Sequence, residues 1–149
     1  MTRQFIISDT HFGHEKCKEF CGRPDNYEEQ ILNKLSVLTQ EDVLIHLGDI
    51  CWGKSSYWHD MMFRRAKYKK VLVKGNHDRE STNKYYNLGW DVVCDSMSSK
   101  LFGERILFSH KPQPLFVREN KDLTLGLTYD FNIHGHFHNS NHRRHETYL

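Results

Sequence analysis

Five short apolar stretches in this sequence each run directly into residues of types that bind metal ions. Aspartate, asparagine and histidine side chains supply the mixed oxygen and nitrogen donors that suit manganese, iron or zinc. The candidate ligands are Asp9, His11, Asp49, Asn76, His110, His136 and His138. A closed structural zinc site takes four ligands, so this larger set predicts a centre that holds two divalent cations.

The five stretches are predicted to be β-strands that end at one edge of a sheet. They comprise residues 5–7, 43–45, 71–73, 106–108 and 131–133. An α/β protein builds a metal site outside its core by ending strands in polar side chains at one edge. Alternate side chains of an extended segment point the same way, so Asp9 and His11 can hold one cation together. Asp49 is the natural bridge, because a carboxylate can bind two cations at once.

A count of charges predicts the class of substrate. Two divalent cations bring four positive charges, Asp9 and Asp49 remove two, and a bridging hydroxide removes one more, which leaves about one positive charge. Such a centre favours an anion, and two cations roughly 3.5–4 Å apart can activate water and hold the oxygens of a phosphoryl group during in-line attack. The sequence therefore predicts phosphoester hydrolysis by metal-bridged hydroxide. His77, beside Asn76, is the candidate general acid or transition-state stabiliser for the leaving group.

Helical segments between the strands give the β-α-β alternation of a layered α/β fold. A first helix, capped by Asp25 or Asn26, presents an apolar face that extends to Leu38. A second is predicted from Ser55 or Ser56 to about residue 68, and a third from residues 81 or 82 to 88. From residue 90 onwards, short strands with a turn at residues 103–104 predict a second and more antiparallel sheet. Residues 111–129 are expected to form a long loop that borders the site.

Composition sets outer bounds on the protein. The 149 residues suit a single domain, and a net charge of +2 neither requires nor excludes nucleic acid. No apolar run is long enough to span a membrane and no signal peptide is apparent, so we expect a cytoplasmic protein without membrane association. The four cysteines are expected to remain thiols. Cys17 and Cys21 could join His14 in a zinc cluster, but no fourth ligand is apparent, and partly buried helix cysteines are the favoured interpretation.

Taken together, the motifs are similar to the ordered signature of the calcineurin-like metallophosphoesterase superfamily. The motifs are Asp9-x-His11, Gly48-Asp49, Gly75-Asn76-His77-Asp78, His110 and Gly135-His136-x-His138. The segment from Ser8 to His14, with Gly22-Arg23-Pro24, resembles small bacterial and phage members in particular. The resemblance implies a four-layer sandwich of two mixed β-sheets with helices on both outer faces. It also implies one cation held by Asp9, His11, Asp49 and His138, and a second held by Asp49, Asn76, His110 and His136.

The motifs of this sequence differ from those of the protein phosphatases in the superfamily, and the difference argues against that class of enzyme. Protein Ser/Thr phosphatases of the superfamily follow Gly-Asp with a further Asp-Arg pair, whereas the sequence here reads Gly48-Asp49-Ile50-Cys51-Trp52-Gly53. The phosphate-binding arginine and the carboxylate that orients the histidine are therefore missing at that place. Asp78 is left as the candidate that orients His77. His14 and Arg23 are candidate substrate-phosphate contacts, with ordinary surface roles as the alternative, and Trp52 could stack on a base at the rim.

These features predict a metal-dependent phosphoester hydrolase that prefers phosphodiesters, with small cyclic or linear nucleotide diesters as lead substrates. Manganese is the first choice of cation, with iron, zinc or nickel as alternatives, and a homodimer stays open. The enzymatic alternative is a nuclease acting on DNA or RNA. Its candidate backbone contacts are Lys67, Lys69, Lys70, Arg143 and Arg144. The alternative from another class is a non-catalytic interaction scaffold on the same fold.

Overall fold

Short runs rich in β-branched and aromatic residues form most strands of the two sheets, and the polar segments between them supply the helices and loops. The computed structural model describes residues 2–64, 66–113 and 129–137. The strands are β1 (Gln4–Ile7), β2 (Val43–His46), β3 (Lys69–Val73), β4 (Val92–Cys94), β5 (Ser96–Leu101), β6 (Glu104–Ser109) and β7 (Phe131–His134). The helices are α1 (Lys16–Cys21), α2 (Tyr27–Leu35), α3 (Ser55–Phe63) and α4 (Thr82–Asn87).

The first sheet has the strand order β1-β2-β3-β4, and its described strands are parallel throughout. The second has the order β5-β6-β7, in which β5 and β6 are antiparallel and β6 and β7 are parallel. Both sheets are expected from the sequence to be mixed. Among the described strands, only the second sheet is mixed. Residues 92–94 were also expected to open the second sheet, but they pair with β3 in the first. They form a parallel edge strand because α4 returns the chain to that sheet.

Side chains alternate between the two faces of the first sheet, and this alternation creates two separate layers of hydrophobic core. Leu44 and Leu72 face α2, α3 and α4, whereas Ile45 and Val73 face the second sheet, where they meet Phe108. Neighbouring residues of a strand point to opposite faces, so both faces of the first sheet are covered by apolar packing. The protein is thus an α/β sandwich of two sheets with flanking helices. The helices α2, α3 and α4 pack on the first sheet, and the long loop expected at residues 111–129 falls mostly outside the described residues.

Helices α2, α3 and α4 begin close to where the sequence predicts them, but α3 ends earlier. It stops at Phe63 instead of about residue 68, and Lys69 and Lys70 belong to β3. Its N-cap is Lys54, in place of the predicted serines, whereas Ser81 caps α4 as expected by accepting a hydrogen bond from the Lys84 backbone. Nowhere in residues 2–64, 66–113 and 129–137 is there a helix with the length and apolar character needed to cross a bilayer.

An ion pair between the exposed Arg3 and the buried Asp42 joins the starts of β1 and β2. Arg3 donates two hydrogen bonds of 2.8 Å to the carboxylate of Asp42, which also accepts from the backbone and hydroxyl of Thr39. The Asp42 side chain is about 1% exposed. The two-pronged geometry of the guanidinium fits a carboxylate well, so this contact fixes the register at which the two strands begin.

Replacing Asp42 with asparagine is expected to lower the free energy of unfolding at neutral pH. The hydrogen bonds from Arg3, and next from the Thr39 backbone, hold the pKa of the Asp42 carboxyl well below its ordinary value. Because the folded pKa lies below the unfolded value of about 3.9, the pair stabilises fully above about pH 4 and loses its effect as the pH falls further. Urea unfolding should therefore show a difference between wild type and Asp42→Asn that shrinks steadily below about pH 4.

The matched control is Asp60→Asn, which removes an exposed pair with Arg64 within α3. Exposed pairs contribute little, so this control should unfold like the wild type. A deficit of Asp42→Asn that stays constant below pH 4 would show that the ionised carboxylate is not the source of the stabilisation.

Candidate metal centre

The predicted ligands lie on loops that leave the carboxyl ends of parallel strands. Asp9 and His11 follow β1, Asp49 follows β2, Asn76 follows β3, and His110 and His136 follow β6 and β7. Backbone hydrogen bonds join the first two loops, from the Asp9 N–H to Gly48 and from the His11 N–H to Asp49. Six of the seven predicted ligands are therefore brought to one edge, where the two sheets meet. The seventh, His138, lies outside the described residues.

One set of donor atoms surrounds Nε2 of His110. This nitrogen lies 3.0 Å from Oδ1 of Asn76, 3.2 Å from Nδ1 of His136 and 3.4 Å from Oδ2 of Asp49. Two imidazole nitrogens and two oxygens that converge on one point form an arrangement suited to a cation of the manganese or zinc class. The four residues are those that the family resemblance assigns to one cation.

A second set of donor atoms shares Asp49 with the first. Nε2 of His11 lies 3.8 Å from Oδ1 of Asp9 and 3.8 Å from Oδ2 of Asp49. The ligand atoms of these three residues all lie within 4.8 Å of one another, as do those of Asp49, His110 and His136. Because Asp49 belongs to both groups, its carboxylate occupies the position that a bridging ligand requires.

The ring orientation of His110 is fixed by a hydrogen bond from Nδ1, the ring nitrogen that faces away from the other candidate ligands. Its Nδ1 lies 2.8 Å from the carbonyl oxygen of Leu47, so this nitrogen carries the proton and donates it to that carbonyl. The lone pair of Nε2 then points towards Asp49 and Asn76. Metal-binding histidines are held in this way by a hydrogen bond from the second ring nitrogen, which sets both the tautomer and the ring angle.

The electrostatics of the site also fit cations. Burial by itself would raise the pKa of the Asp9 carboxyl, but the nearby His11 imidazole and the hydrogen bonds from Ser8 and from the His136 backbone bring it well below its ordinary value. The pKa of Asp49 is lowered against the effect of burial by His110 and by the His77 backbone. Two buried carboxylates that stay ionised need positive charge nearby, because removing each from water costs several kcal/mol. The donor set therefore fits the divalent cations that the family resemblance implies.

Strained backbone marks the ligand loops. In the described residues, six residues other than glycine have positive φ, and four of them are Asp9 (54°), His11 (46°), Asp49 (57°) and His136 (76°). Such conformations cost of order 1–3 kcal/mol each and persist where the surrounding structure imposes them. The packing of the folded protein thus holds these four ligands in backbone conformations that an unconstrained chain would avoid.

The glycines of the motifs allow the loops to approach one another. A Cβ atom on Gly75 would collide with Oδ1 and the backbone nitrogen of Asp49, and one on Gly135 would collide with Ser8 and with Oδ2 of Asp9. Each glycine therefore lies directly against a ligand carboxylate. Only hydrogen in place of a side chain leaves room for these carboxylates to point into the centre.

The Gly75→Ala substitution is expected to displace Asp49 and to lower both metal affinity and kcat. A shift of about 1 Å in a reacting group can reduce a rate about 10²-fold, and we expect a loss of that order. Isothermal titration with Mn²⁺ and turnover of a chromogenic diester would measure the two effects. The control is Gly103→Ala in the β5–β6 turn, where φ is also positive but nothing lies within 4 Å of the added carbon. Equal losses in both variants would point to a general folding defect.

His77 lies beside both sets of donor atoms. Its Nε2 is 3.9 Å from Oδ2 of Asp49, and its backbone N–H donates a 2.9 Å hydrogen bond to Oδ1 of the same carboxylate. The ring lies 5.0 Å from the exposed ring of Trp52, and it is partly open to solvent. The main chain of His77 thus orients Asp49, while its imidazole faces the approach to the centre.

Asp78 has a different role from the one expected. Its Oδ2 accepts 2.8 Å hydrogen bonds from the backbone N–H groups of Asp49 and Gly75, and its Oδ1 accepts from Ile50. Both oxygens are therefore engaged by the two ligand loops, and the carboxylate does not orient the His77 ring. An acidic side chain between two loops that expose N–H groups ties them together. Asp78 therefore fixes the backbone of Asp49 against that of Gly75.

Arg23 also differs from the expectation. Its guanidinium donates to the carbonyl oxygens of Asp9 and Thr10, and it lies 5.0 Å from the ring centre of Tyr27. These contacts fix the backbone of the first ligand loop, so they do not place the guanidinium as a substrate contact. His14 keeps a position at the rim, where its ring stacks on Trp52 at 4.6 Å.

Three residues of the site were not found from the sequence. Ser8 donates a 2.5 Å hydrogen bond to Oδ2 of Asp9, and the Tyr27 hydroxyl donates a 2.6 Å bond to the carbonyl of His11. The buried ring of His46 contacts the Thr10 hydroxyl and accepts from the Gly48 N–H. Ser8 adjoins Asp9 in sequence and His46 nearly adjoins Gly48, which is a local signal, whereas nothing in the sequence marks Tyr27.

Comparison with known proteins agrees with this geometry. The chain is 27% identical to an uncharacterized protein of Methanocaldococcus jannaschii over 95% of its own length and 72% of the relative's. It superimposes on a crystal structure of a protein of unknown function from Aquifex aeolicus with a TM-score of 0.66 and 31% identity, covering 81% of this chain and 67% of that one. Nuclease MPE of Pseudomonas putida is a more distant structural neighbour, with a TM-score of 0.53 and 23% identity over 91% of this chain and 61% of that one.

The sequence pattern of one family extends over nearly the whole chain. It matches residues 2–145, a range that contains all five ligand-bearing loops described above. The order of these loops and their place at the ends of parallel strands agree with the match. This protein belongs to the calcineurin-like phosphoesterase family.

Proposed function

We propose that this protein is a phosphodiesterase that depends on two divalent cations and acts on nucleotide-derived diesters. The observation that carries the proposal is the position of Asp49, whose Oδ2 lies 3.4–3.9 Å from the Nε2 atoms of His11, His77 and His110. A carboxylate shared by two sets of donor atoms is the arrangement of a dinuclear centre. Manganese is the first choice of cation, because the donors are mixed oxygen and nitrogen and exclude sulfur.

The residues of the chain divide the chemistry between them. Two divalent cations would lower the pKa of a shared water and neutralise charge on the phosphoryl oxygens. Asp49 would set the spacing of the pair, and Asp78 and Gly75 would hold Asp49 in place through the contacts described above. His77, with its ring on the open side, would give a proton or a hydrogen bond to the departing oxygen.

The preference for diesters follows from the cationic side chains near the centre. A monoester dianion usually needs extra donors such as arginine beyond the two cations. Arg23 is held by the backbone carbonyls of Asp9 and Thr10. The segment that follows Asp49, Ile50-Cys51-Trp52-Gly53, lacks the Asp-Arg pair of the protein phosphatases. The singly charged diester therefore suits this centre better than a monoester.

A panel of substrates and cations tests the proposal. Bis(p-nitrophenyl) phosphate, p-nitrophenyl phosphate, cyclic nucleotides and single-stranded DNA would each be assayed with manganese, zinc, nickel and magnesium. We expect bis(p-nitrophenyl) phosphate and the cyclic nucleotides to be hydrolysed with manganese. The monoester, p-nitrophenyl phosphate, should react much more slowly. Faster turnover of the monoester would contradict the diester assignment. No uptake of any cation and no hydrolysis would favour the non-catalytic scaffold.

A nuclease is the second candidate, and a groove beside the centre favours it. The groove has a volume of about 610 Å³ and is bordered by the ligands Asn76 and His110. Lys74, Lys111, Gln113 and Tyr129 form part of its wall. Lysines can bind the phosphates next to the scissile one, and a tyrosine can stack on a base. The neighbour in Pseudomonas putida is named a nuclease, which agrees with a substrate longer than one nucleotide.

The lysines first considered for nucleic acid are poorly placed. Lys69 and Lys70 lie at the start of β3, and Lys70 pairs with Asp91 at 2.9 Å. The ligand loop leaves the other end of that strand, about 13 Å from Lys69 at 3.3 Å per residue. Arg143 and Arg144 lie outside the described residues. Any phosphate contacts near the scissile bond are therefore expected from Lys74 and Lys111.

Substitution of single lysines separates the two candidates. For a nuclease, Lys111→Gln should weaken single-stranded DNA cleavage and reduce the slope of log(kcat/KM) against log[salt] by about 1. Lys70→Gln is the matched control and should leave both unchanged. If the protein instead acts on small nucleotide diesters, neither substitution should alter the salt dependence of turnover. DNA should then be a poor substrate for the wild type and for both variants.

A further inference from the structure

Three soft donor groups meet beside the candidate centre, at the start of α1. Sγ of Cys17 lies 3.2 Å from Nδ1 of His14 and 3.9 Å from Sγ of Cys21. Cys17 is 3% exposed, and His14 and Cys21 are partly exposed, so the cluster lies just below the surface. Thiols and an imidazole at such distances favour a different class of metal from the oxygen-rich donors around Asp49.

The two separations that involve Cys17 agree with a tetrahedral site. With zinc–sulfur bonds near 2.3 Å and zinc–nitrogen bonds near 2.0–2.1 Å, tetrahedral angles place two sulfurs about 3.8 Å apart and a sulfur and a nitrogen about 3.6 Å apart. The observed separations of 3.9 Å and 3.2 Å differ from these by a few tenths of an ångström. Cys21 is not grouped with His14 among the residues whose ligand atoms all lie within 4.8 Å of one another, so a rotation of the His14 or Cys21 side chain would have to bring this third pair together. His11, whose ligand atom lies within 4.8 Å of those of His14 and Cys17, belongs to the dinuclear centre and is not counted as a ligand here.

We propose that His14, Cys17 and Cys21 bind one soft divalent cation, of which zinc is the natural example, in a site separate from the dinuclear centre. His14 lies in the loop that carries His11, and Cys17 and Cys21 lie one helical turn apart in α1. A cation bound to all three would therefore fasten α1 to that loop. His14 stacks on Trp52 at the rim, and Arg23, two residues beyond Cys21, holds the Asp9 carbonyl. The cation would thus rigidify a segment with contacts to both the rim and the first ligand loop.

The competing explanation is a chain of hydrogen bonds without any metal. Burial, and next the neighbouring Cys21, raise the pKa of the Cys17 thiol to about 11, so without a cation its sulfur is protonated and can donate to His14. A cation would displace this proton, as in other thiolate sites. The two explanations differ in whether the folded chain takes up a thiolate-bound metal.

Cobalt(II) titration of the reduced, full-length protein distinguishes them. Cobalt bound to thiolate gives an intense near-ultraviolet charge-transfer band, whereas cobalt bound only to oxygen and nitrogen does not. We expect a band that saturates at one equivalent of thiolate-bound cobalt and is removed by added zinc. The band should be abolished in Cys17→Ser, weakened in Cys21→Ser and unchanged in Cys94→Ser, whose sulfur lies on β4.

His14→Gln should lower the apparent zinc affinity at least 10-fold while the variant keeps the circular dichroism of the wild type. Absence of the band in the wild type would overturn the proposal and leave the hydrogen-bonded chain. Survival of the band in both Cys17→Ser and Cys21→Ser would overturn it as well. If Cys17→Ser fails to fold because its sulfur is buried, Cys21→Ser and His14→Gln decide the question. The outcome is independent of the diesterase proposal, because the signal needs no turnover.

Discussion

The Asp49→Asn protein is expected to lose the second tightly bound cation and nearly all of its turnover. Asparagine keeps the shape of aspartate but carries no charge, and its amide nitrogen cannot accept from the His77 N–H or bind a cation. Asp49 is 2% exposed and shared by both sets of donor atoms, so no other described side chain can replace it as a bridge. Loss of about 4 kcal/mol of charge stabilisation corresponds to a rate reduction on the order of 10³-fold.

Metal analysis of the dialysed protein and steady-state kinetics with bis(p-nitrophenyl) phosphate would measure both effects. The control is Asp60→Asn, which alters an exposed carboxylate on α3 and should bind metal and turn over like the wild type. Two cations per chain together with normal kcat in Asp49→Asn would show that this carboxylate is not the bridge.

His77→Asn is expected to keep both cations and to lose most of the rate. The imidazole lies 3.9 Å from Oδ2 of Asp49, and asparagine preserves the backbone N–H that orients this carboxylate. A general acid contributes about 10²–10⁴-fold, so kcat should fall within that range while KM changes little. Metal analysis alongside kcat separates this outcome from the loss of a ligand.

The choice of leaving group sharpens the test of His77. p-Nitrophenolate departs without protonation, whereas the alkoxide of a dinucleotide needs a proton or a hydrogen bond. The defect of His77→Asn should therefore be much larger with a dinucleotide than with bis(p-nitrophenyl) phosphate. Equal defects with both substrates would contradict a role at the leaving group.

The sequence predicted the positions of the site elements well, because parallel strands offer few alternatives for where their ends meet. An apolar run followed by Gly-Asp or Gly-Asn-His predicts both the strand and the loop that leaves it. The α/β architecture with two sheets is confirmed, as is family membership. The convergence of Asp9, Asp49 and His110 follows from strand order alone. Their binding of cations stays a prediction.

The roles of neighbouring residues were harder to predict, because they depend on contacts between loops. Arg23 is 14 residues from Asp9 in sequence, and nothing local indicates that it binds the carbonyl of that residue instead of a phosphate. Asp78 adjoins His77 but points to the backbone of Asp49 and Gly75. The positive φ angles of the ligands likewise come from tertiary packing.

The fold differs from the sequence prediction mainly at the boundaries of its elements. Residues 64–70 continue a helical composition, but β3 must begin at Lys69 in order to pair with β2, so α3 ends at Phe63. Val92–Cys94 has the composition of a hairpin strand, yet it pairs with β3 because α4 is the crossover between them. Pairing with a neighbouring strand thus overrides local preference.

The most direct test of the central claim is a crystal structure of the protein grown with excess manganese, with anomalous data collected at the manganese edge. The account predicts two anomalous peaks roughly 3.5–4 Å apart, bridged by the carboxylate of Asp49. It also predicts Asp9 and His11 on one cation, and Asn76, His110 and His136 on the other. One cation in a closed set of ligands, or these side chains apart with no cation between them, would contradict it.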